Sequence, residues 1–332
     1  MNAPVVLFFS RDPGATNQLV AVHELLCLNA TPGIPAIEAL RARLGLRNGD
    51  RPAAVILARK FALEVWRAAG IEAEPQTETI PATLLMERAV GLVVTGTDDI
   101  DEPDTVTLWR TAQAAGIPVA VFLDNLVNLD VRFRTRAGTL VTPDLVFALD
   151  SHSAAALAAA GIPEDRLHTT ENLHLARLGR LGEQNKNARA ALRAAWQADE
   201  AEGVILFASE NTAEMAALGR PAPWDEHALL RRVIDGLAQG RAVGGIDPAK
   251  QSVTVVIRPH PRDTPGKYDR YRRAAAPGVL VSDQGAPLEA ILAADLILGM
   301  DSALLFEARA LGRPALSLVP GSKFNAAIKT RD

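Results

Sequence analysis

The 332-residue sequence contains a single cysteine, Cys27, which excludes a disulfide framework and a cysteine zinc site. Long hydrophobic runs are also missing, because no stretch approaches the roughly 20 apolar residues that a membrane-spanning helix needs. The N-terminal residues lack the basic start and the long apolar run of a secretory signal. These absences predict a protein of the reducing cytoplasm that does not span a membrane.

Charge of one sign is not in excess either. The chain has 35 basic and 39 acidic residues, a formal net charge of −4, so it has no basic surplus to attract nucleic acid. Hydrophobic residues make up 48% of the sequence. That share, at this length, is enough apolar material for two cored domains of about 150 residues each.

Short β-rich apolar runs alternate with helical patterns, which is typical of parallel βαβ units. The predicted strands are residues 5–9, 53–57, 92–95, 119–123, 145–148, 204–208, 253–257, 279–282, 296–298 and 315–318. This pattern predicts an α/β protein with two Rossmann-like, doubly wound parallel-sheet domains. A polar stretch between Thr170 and Asn187 favours a boundary there, with domains of residues 1–175 and 176–332.

Ligands of open parallel sheets bind beyond the carboxyl ends of the strands, so the loops after the strands are candidate sites. In the first loop, Gly14 permits a tight strand-to-helix turn, and Thr16 or Asn17 can cap the helix and leave N–H groups for an anion. A glycine needed only for the turn explains the loop equally well. The loop is neither a GxGxxG fingerprint nor a Walker A motif, which disfavours a dehydrogenase.

Acidic residues follow the third predicted strand. Asp99 and Asp101 form a DxD pattern that can in principle hold a divalent cation through oxygen ligands. Nothing nearby in the sequence completes a coordination shell, so we favour a solvated loop in which Asp104 caps the next helix.

The loop after the fourth predicted strand carries a candidate catalytic carboxylate. Asp124 and Asn125 lie where a catalytic base and an orienting amide would project into a cleft. Asn128 and Arg132 can bind an acceptor or a phosphate. A purely structural role, with Asp124 and Asn128 closing the loop on itself, is nearly as well supported.

Two loops of the second half offer phosphate contacts. Ser209 follows one strand, with Glu210 beside it as a cap or a catalytic group, although a capped helix start explains these residues slightly better. In the motif RPHPRD, two prolines hold His260 in an extended backbone between Arg258 and Arg262. Two guanidinium groups and an imidazole suit a pyrophosphate. For this motif we therefore favour a functional role over structural packing of the histidine.

A further phosphate site is predicted after the strand 296–298. Asp301 or Ser302 should cap a helix over residues 303–311, which Gly312 and Pro314 stop. The free N–H groups and positive dipole end of such a helix stabilise a diphosphate. Glu307 can accept hydrogen bonds from a ribose.

The segments RPHPRD and ADLILGMDSALLFEARALGRPALSL together resemble the C-terminal domain of GT-B glycosyltransferases and their relatives. Those relatives include nucleotide-sugar 2-epimerases, CDP-glycerol glycerophosphotransferases and bacterial polysialyltransferases. In the N-terminal half, LDNLVNLDVRF and PDLVFALD resemble surface-polysaccharide proteins of the same superfamily. One departure is Asp301, which replaces the usual small or hydroxyl residue before Ser302 and adds a negative charge there.

The resemblance implies two domains that face each other across a cleft. The C-terminal domain would grip a nucleotide-activated donor, and the N-terminal domain would supply the acceptor contacts. The implied donor residues are Ser209, Glu210, Arg258, His260, Arg262, Asp301, Ser302, Ala303 and Glu307. The implied acceptor-side residues are Asp12, Gly14, Ala15, Asn17, Asn125, Asn128 and Arg132.

Three functions remain open from the sequence. The first is a metal-independent glycosyltransferase of surface-glycan assembly, in which Asp124 activates the acceptor and His260 assists the leaving diphosphate. The second is a nucleotide-sugar 2-epimerase or hydrolase that acts on the donor alone. The third is a non-catalytic nucleotide-sugar-binding protein. None of them requires a cofactor, since the nucleotide sugar is the substrate, and the other expected partner is a glycan or small-molecule acceptor.

Overall fold

The computed structural model describes residues 3–29, 33–98, 104–124, 129–185, 187–217, 219, 221–273, 277–300 and 302–326. The chain divides into two compact units, Met1–His174 and Leu175–Asp332. Among the described residues, no helix combines the length and the apolar character that crossing a bilayer requires.

A seven-stranded parallel sheet forms the centre of the first unit. Its strands are β1 (Val5–Ser10), β2 (Ala53–Ala58), β3 (Glu74–Pro75), β4 (Val90–Thr95), β5 (Val119–Phe122), β6 (Leu145–Ala148) and β7 (Leu167–Thr169). Their order is β3-β2-β1-β4-β5-β6-β7. The strand order therefore reverses between β1 and β4, and such a switch point is where open α/β sheets bind their ligands.

Helices cover this sheet on both faces. They are α1 (Pro13–His23), α2 (Pro35–Arg43), α3 (Ala62–Ala68), α4 (Ala82–Glu87), α5 (Asp104–Ala114) and α6 (Ser151–Ala159). A π-helical turn, Glu24–Leu28, continues α1. Side chains of β1 alternate between the two cores, since Val6 and Phe8 pack into one and Leu7 and Phe9 into the other. Both faces of the strand are buried, which explains its continuous apolar sequence.

The second unit has a five-stranded parallel sheet. Its strands are β8 (Gly203–Ala208), β9 (Val253–Arg258), β10 (Gly278–Val281), β11 (Leu296–Gly299) and β12 (Ala315–Ser317), in the order β10-β9-β8-β11-β12. The remaining helices are α7 (Leu173–Gln184), α8 (Ala188–Ala195), α9 (Thr212–Ala217), α10 (Glu226–Ala238), α11 (Pro287–Ala293), α12 (Ala303–Ala310) and α13 (Lys323–Ala326). The boundary between the units falls within α7.

The predicted α/β fold class with two parallel sheets is confirmed. Every predicted strand is present, and the strand ends differ from the prediction by two residues at most. The prediction missed β3 and β7, which are only two and three residues long and lie at the edges of the sheet. Such short strands leave no periodic pattern in the sequence.

The start of α1 also differs from the prediction. Thr16 and Asn17 do not cap the helix, because it begins earlier: Asp12 is the N-cap and Pro13 takes the first helical position, where its fixed φ suits the turn. The Thr16 hydroxyl instead donates to the Asp12 carbonyl at 2.7 Å.

Helix α1 approaches the end of β4 closely, and Gly96 makes this possible. A Cβ at position 96 would lie 2.4 Å from the Cβ of Ala15, whereas at Gly91, in the same strand region, it would meet nothing closer than 3.7 Å. We expect Gly96→Ala to lower the free energy of unfolding by about 1–3 kcal/mol, the usual cost of overpacking. The matched Gly91→Ala should be neutral or stabilise by up to about 1 kcal/mol. Urea denaturation measures both, and equal losses would contradict the close approach.

Candidate functional site

Polar side chains of the first unit gather at the switch point of its sheet. Thr97 follows β4 and Asp124 follows β5, the next strand in the sheet. Arg132 joins them, because its Nη1 donates to Thr97 Oγ1 at 2.6 Å and lies 3.5 Å from Asp124 Oδ1. The Thr97 hydroxyl lies 3.3 Å from the same Asp124 oxygen. The structure thus brings the predicted residues Asp124 and Arg132 together.

The Asp124 carboxyl group lies against the first turn of α1. A Cβ built on Gly14 would be 2.5 Å from Asp124 Oδ2, so only glycine leaves room for the carboxylate there. The Asp124 side chain is 14% exposed. Burial raises its pKa, and this outweighs the opposing effects of Arg132 and Thr97. A carboxyl group with a raised pKa is a better proton acceptor than an ordinary surface carboxylate.

The other predicted acceptor-side residues divide into two groups. Asp12 and Gly14 lie at the start of α1, where Asp12 makes no side-chain hydrogen bond to the helix N-terminus. Ala15 is buried and Asn17 is half-buried. Asn125 and Asn128 lie outside the described residues, as do Asp99 and Asp101 of the DxD pattern.

Asp98 is a buried carboxyl group that was not among the predicted site residues. It is 4% exposed and accepts the backbone N–H of Thr105, near the start of α5, at 2.7 Å. Burial raises its pKa to about 7, despite that hydrogen bond. Its position in the loop after β4 is the signal that could have indicated it, although the sequence does not show that its side chain is buried.

The pKa of Asp98 predicts a pH-dependent stability. Because the native group has a pKa of about 7 and the unfolded group one near 3.8, the native state binds more protons between these values. Stability therefore falls as the pH rises through this window, by up to about 1.4 kcal/mol per pH unit. We expect Asp98→Asn to remove this slope, so that the stability difference from the unaltered protein changes between pH 4.5 and 7. Urea denaturation at both pH values tests this, and a constant difference would contradict it.

In the second unit, hydrogen bonds fix His260 on both sides. Its backbone N–H donates to Asp263 Oδ2 at 2.8 Å, and its ring Nδ1 accepts the backbone N–H of Arg262 at 3.1 Å. The second bond assigns the proton of the neutral ring to Nε2. Burial lowers the pKa of His260; the Asp263 charge opposes this shift, and the charges of Arg262 and Lys267 add to it. The ring is therefore neutral at pH 7 and offers Nε2–H as a hydrogen-bond donor.

The two arginines of RPHPRD have different surroundings. The Arg258 guanidinium group donates to the carbonyls of Gln284 and Gly285 at 3.1 and 2.9 Å, so it links the end of β9 to the loop before α11. Burial lowers the pKa of Arg258. Arg262, in contrast, is exposed. Of the two, Arg262 is the better placed to meet a ligand from solvent.

A buried polar cluster underlies this loop, and we call it the Lys267 cluster. The Lys267 ammonium group contacts Asp263 at 2.7 Å, Glu226 at 2.6 Å and Glu214 at 3.3 Å. The Ser209 hydroxyl lies 2.5 Å from Asp263 Oδ2 and 2.6 Å from the Tyr268 hydroxyl. The cluster comprises Ser209, Glu214, Glu226, Asp263, Lys267 and Tyr268.

Ser209 and Glu210, two predicted donor contacts, are tied to this cluster. Ser209 is 6% exposed, so its hydroxyl is turned into the protein rather than toward solvent. The backbone of Glu210 receives a hydrogen bond from Lys267 Nζ at 2.9 Å and donates its N–H to Glu226 at 3.3 Å.

The start of α12 follows the prediction. Ser302 is the N-cap, and its Oγ accepts the N–H of Leu304 at 3.3 Å. Ala303 is exposed, and Glu307 is half-buried one turn further on. The helix ends at Ala310, and Gly312 takes the left-handed conformation, with φ +69°, that follows many helix ends. Asp301 lies outside the described residues.

No protein-family model matches the sequence, and no curated protein has significant sequence similarity to it. Solved structures do match. The UDP-GlcNAc 2-epimerase from Neisseria meningitidis bound to UDP-GlcNAc has a TM-score of 0.62 at 14% identity, over 98% of this chain and 85% of that one. The UDP-GlcNAc 2-epimerase from Methanocaldococcus jannaschii has a TM-score of 0.64 at 15% identity, over 98% and 87%. The glycosyltransferase from Rickettsia africae has a TM-score of 0.56 at 10% identity, over 96% and 79%.

The chain has the GT-B-like fold of these proteins. The resemblance that the motifs indicated is therefore confirmed at the level of the fold. Within the described parts of both units, no three side chains of histidine, cysteine, aspartate or glutamate are grouped as a metal site would need.

Proposed function

We propose that this protein is an enzyme that transfers a sugar from a nucleotide-activated donor to an acceptor hydroxyl in surface-glycan or glycoconjugate assembly. The observation that carries the proposal is Asp124. It is a buried carboxyl group with a raised pKa at the switch point of a GT-B-like sheet, held by Arg132 and Thr97. A group of this kind suits the removal of a proton from a hydroxyl.

In the proposed reaction, Asp124 takes the proton of the acceptor hydroxyl as its oxygen attacks the anomeric carbon of the sugar. The bond between that carbon and the phosphate oxygen breaks, and the nucleoside diphosphate leaves with the electron pair. Its growing charge is stabilised by Arg262, by His260 Nε2–H and by the N–H groups at the start of α12. Glu307 accepts hydrogen bonds from the ribose.

Gly14→Ala tests the placement of Asp124. The added Cβ would lie 2.5 Å from Asp124 Oδ2, and a terminal carboxylate can swing away more easily than backbone can shift. We expect turnover of the proposed reaction to fall by at least about tenfold, because misplaced catalytic groups lose rate steeply. The melting temperature should change by only a few degrees. Unaltered turnover would contradict the proposed role of the Asp124 carboxylate at this position.

A second candidate, a nucleotide-sugar 2-epimerase, is favoured by Asp98. Removal and return of a proton at a sugar carbon calls for two proton-transfer groups, and Asp98, with a pKa of about 7, is a second buried carboxyl group after the strand next to β5. Nucleotide-sugar hydrolysis, which also needs no acceptor, belongs with this candidate.

Proton NMR of a reaction in D2O distinguishes these functions. Each of UDP-GlcNAc, UDP-glucose, a CDP-sugar and a GDP-sugar is incubated with the protein, with and without a panel of simple glycoside acceptors. A transferase consumes the donor and forms a new glycosidic signal only when acceptor is present. A 2-epimerase forms the epimer, with deuterium at C2, from the donor alone. Binding without turnover of any donor would contradict both.

A further inference from the structure

Lys267 is buried in an acidic setting that the proposed reaction does not use. Its side chain is only 7% exposed, and its ammonium group contacts carboxylates from three separate segments. Glu214 comes from α9, Glu226 from the start of α10 and Asp263 from the loop after β9. Glu226 and Asp263 have side chains that are 1% and 2% exposed.

Asp263 connects Lys267 to His260, because its two oxygens have different partners. Oδ1 accepts a hydrogen bond from Lys267, and Oδ2 accepts the backbone N–H of His260. The backbone N–H of Asp263 in turn donates to the His260 carbonyl at 2.9 Å, which closes the turn. Within that turn, the Arg262 N–H reaches His260 Nδ1 and sets the ring. The chain of contacts from Lys267 to the imidazole is therefore continuous.

The charge balance makes this chain of contacts depend on the ammonium group. One cation faces three carboxylates, so its removal would leave like charges close together in a buried place. Burial alone would lower the pKa of Lys267, but the hydrogen bonds to Asp263 and Glu226 outweigh it and raise the pKa. The lysine is therefore charged at neutral pH. Without it, Asp263 Oδ1 would lose this partner and the carboxylate would turn, which would weaken its hydrogen bond from the His260 N–H.

We propose that Lys267 is a positioning residue for His260, and that it acts through Asp263 to keep the imidazole in the orientation that presents Nε2–H. The consequence for catalysis rests on the proposed function, in which His260 donates to the leaving diphosphate. The positioning itself does not, since it concerns the ring of the unliganded protein.

The experiment compares Lys267→Met, Lys267→Arg and Asp263→Asn in the full chain. Lys250→Met is the matched control, because Lys250 also pairs with an aspartate but its side chain is 81% exposed. NMR of protein labelled with 15N in histidine reports the tautomer and the pKa of the His260 ring without any substrate. Turnover and UDP affinity are measured on the same samples.

We expect the Nε2–H form to dominate in the unaltered protein, with a pKa below the ordinary histidine value. In Lys267→Met and Asp263→Asn, both tautomers should appear. In Lys267→Met the pKa of His260 should also move toward about 6.5, because the Lys267 charge that lowers it is removed. In Asp263→Asn the pKa of His260 should fall further, because the carboxylate that raises it is lost. The turnover number should fall at least about tenfold, and Lys267→Arg should keep most of the original signal. If Lys267→Met does not fold, the His260 signal of Asp263→Asn tests the proposal instead.

An unchanged His260 signal in folded Lys267→Met or Asp263→Asn protein would overturn the proposal, even if the melting temperature falls. A changed signal with unchanged turnover would support the positioning by Lys267 but remove His260 from the proposed reaction. The failure of one proposal is thus distinguishable from the failure of the other.

Discussion

Replacing Asp124 with asparagine should lower the turnover number by about 10²- to 10⁴-fold, the usual contribution of a general base. The amide has the size of the carboxylate but cannot accept the proton of the attacking hydroxyl. Because the proposed nucleotide contacts come from other residues, the dissociation constant for the nucleotide should stay within about twofold. Steady-state rates and calorimetric titration with UDP measure the two quantities separately.

The control for this substitution is Asp130→Asn. Asp130 belongs to the same stretch of chain but is exposed and makes no side-chain capping bond, so its replacement should leave turnover unchanged. Equal rates for Asp124→Asn and the unaltered protein would remove Asp124 from the mechanism. A loss of nucleotide affinity as large as the loss of rate would instead indicate a binding role.

Arg193→Met should lower the free energy of unfolding of the second unit by about 3–5 kcal/mol. Arg193 is 1% exposed and donates to Asp295 and to the carbonyls of Ala293, Asp199 and Glu202, at distances from 2.5 to 3.1 Å. Methionine fills similar space but offers no donor. The substitution therefore leaves a carboxylate and three carbonyl groups with fewer partners in a buried place.

Arg189 provides the comparison for Arg193. It lies one turn earlier on α8 and also pairs with Asp295, at 2.9 Å, but its side chain is 23% exposed. Because water can replace many of the hydrogen bonds that Arg189 donates, Arg189→Met should lower the free energy of unfolding by about 1 kcal/mol or less. Chemical denaturation followed by tryptophan fluorescence measures both losses. Similar losses for the two variants would contradict the expectation that the burial of Arg193 makes its hydrogen bonds harder to replace.

The strands were predictable because buried parallel strands are continuous apolar runs. The segments 119–123 and 204–208, for example, could be placed almost to the residue. The strands β3 and β7 could not be predicted in the same way. Pro75 ends the first of them, and Leu167–Thr169 is too short to show a period.

The candidate site was only partly predictable, for a different physical reason. Asp124 and His260 were predicted because they lie in loops that follow strands, and His260 also because two prolines and two arginines flank it. The sequence alone reveals both features. The burial of Asp98 and the cluster around Lys267 depend on tertiary contacts, since Glu214 and Lys267 are 53 residues apart. No local sequence pattern predicts a contact between residues so far apart in the chain. The same applies to the Ser209 hydroxyl, whose inward direction is set by Asp263 and Tyr268.

Thermal melting with nucleotide sugars decides whether this protein binds the proposed donor. UDP-, CDP-, GDP- and CMP-sugars are each added at increasing concentration. At about 100 times its dissociation constant, a ligand stabilises the native state by about 2.7 kcal/mol, which corresponds to a rise of about 5–10 °C for a domain of this size. We predict a saturable rise of this order for at least one nucleotide class. An unchanged melting temperature with all four classes at millimolar concentration would contradict the proposed function.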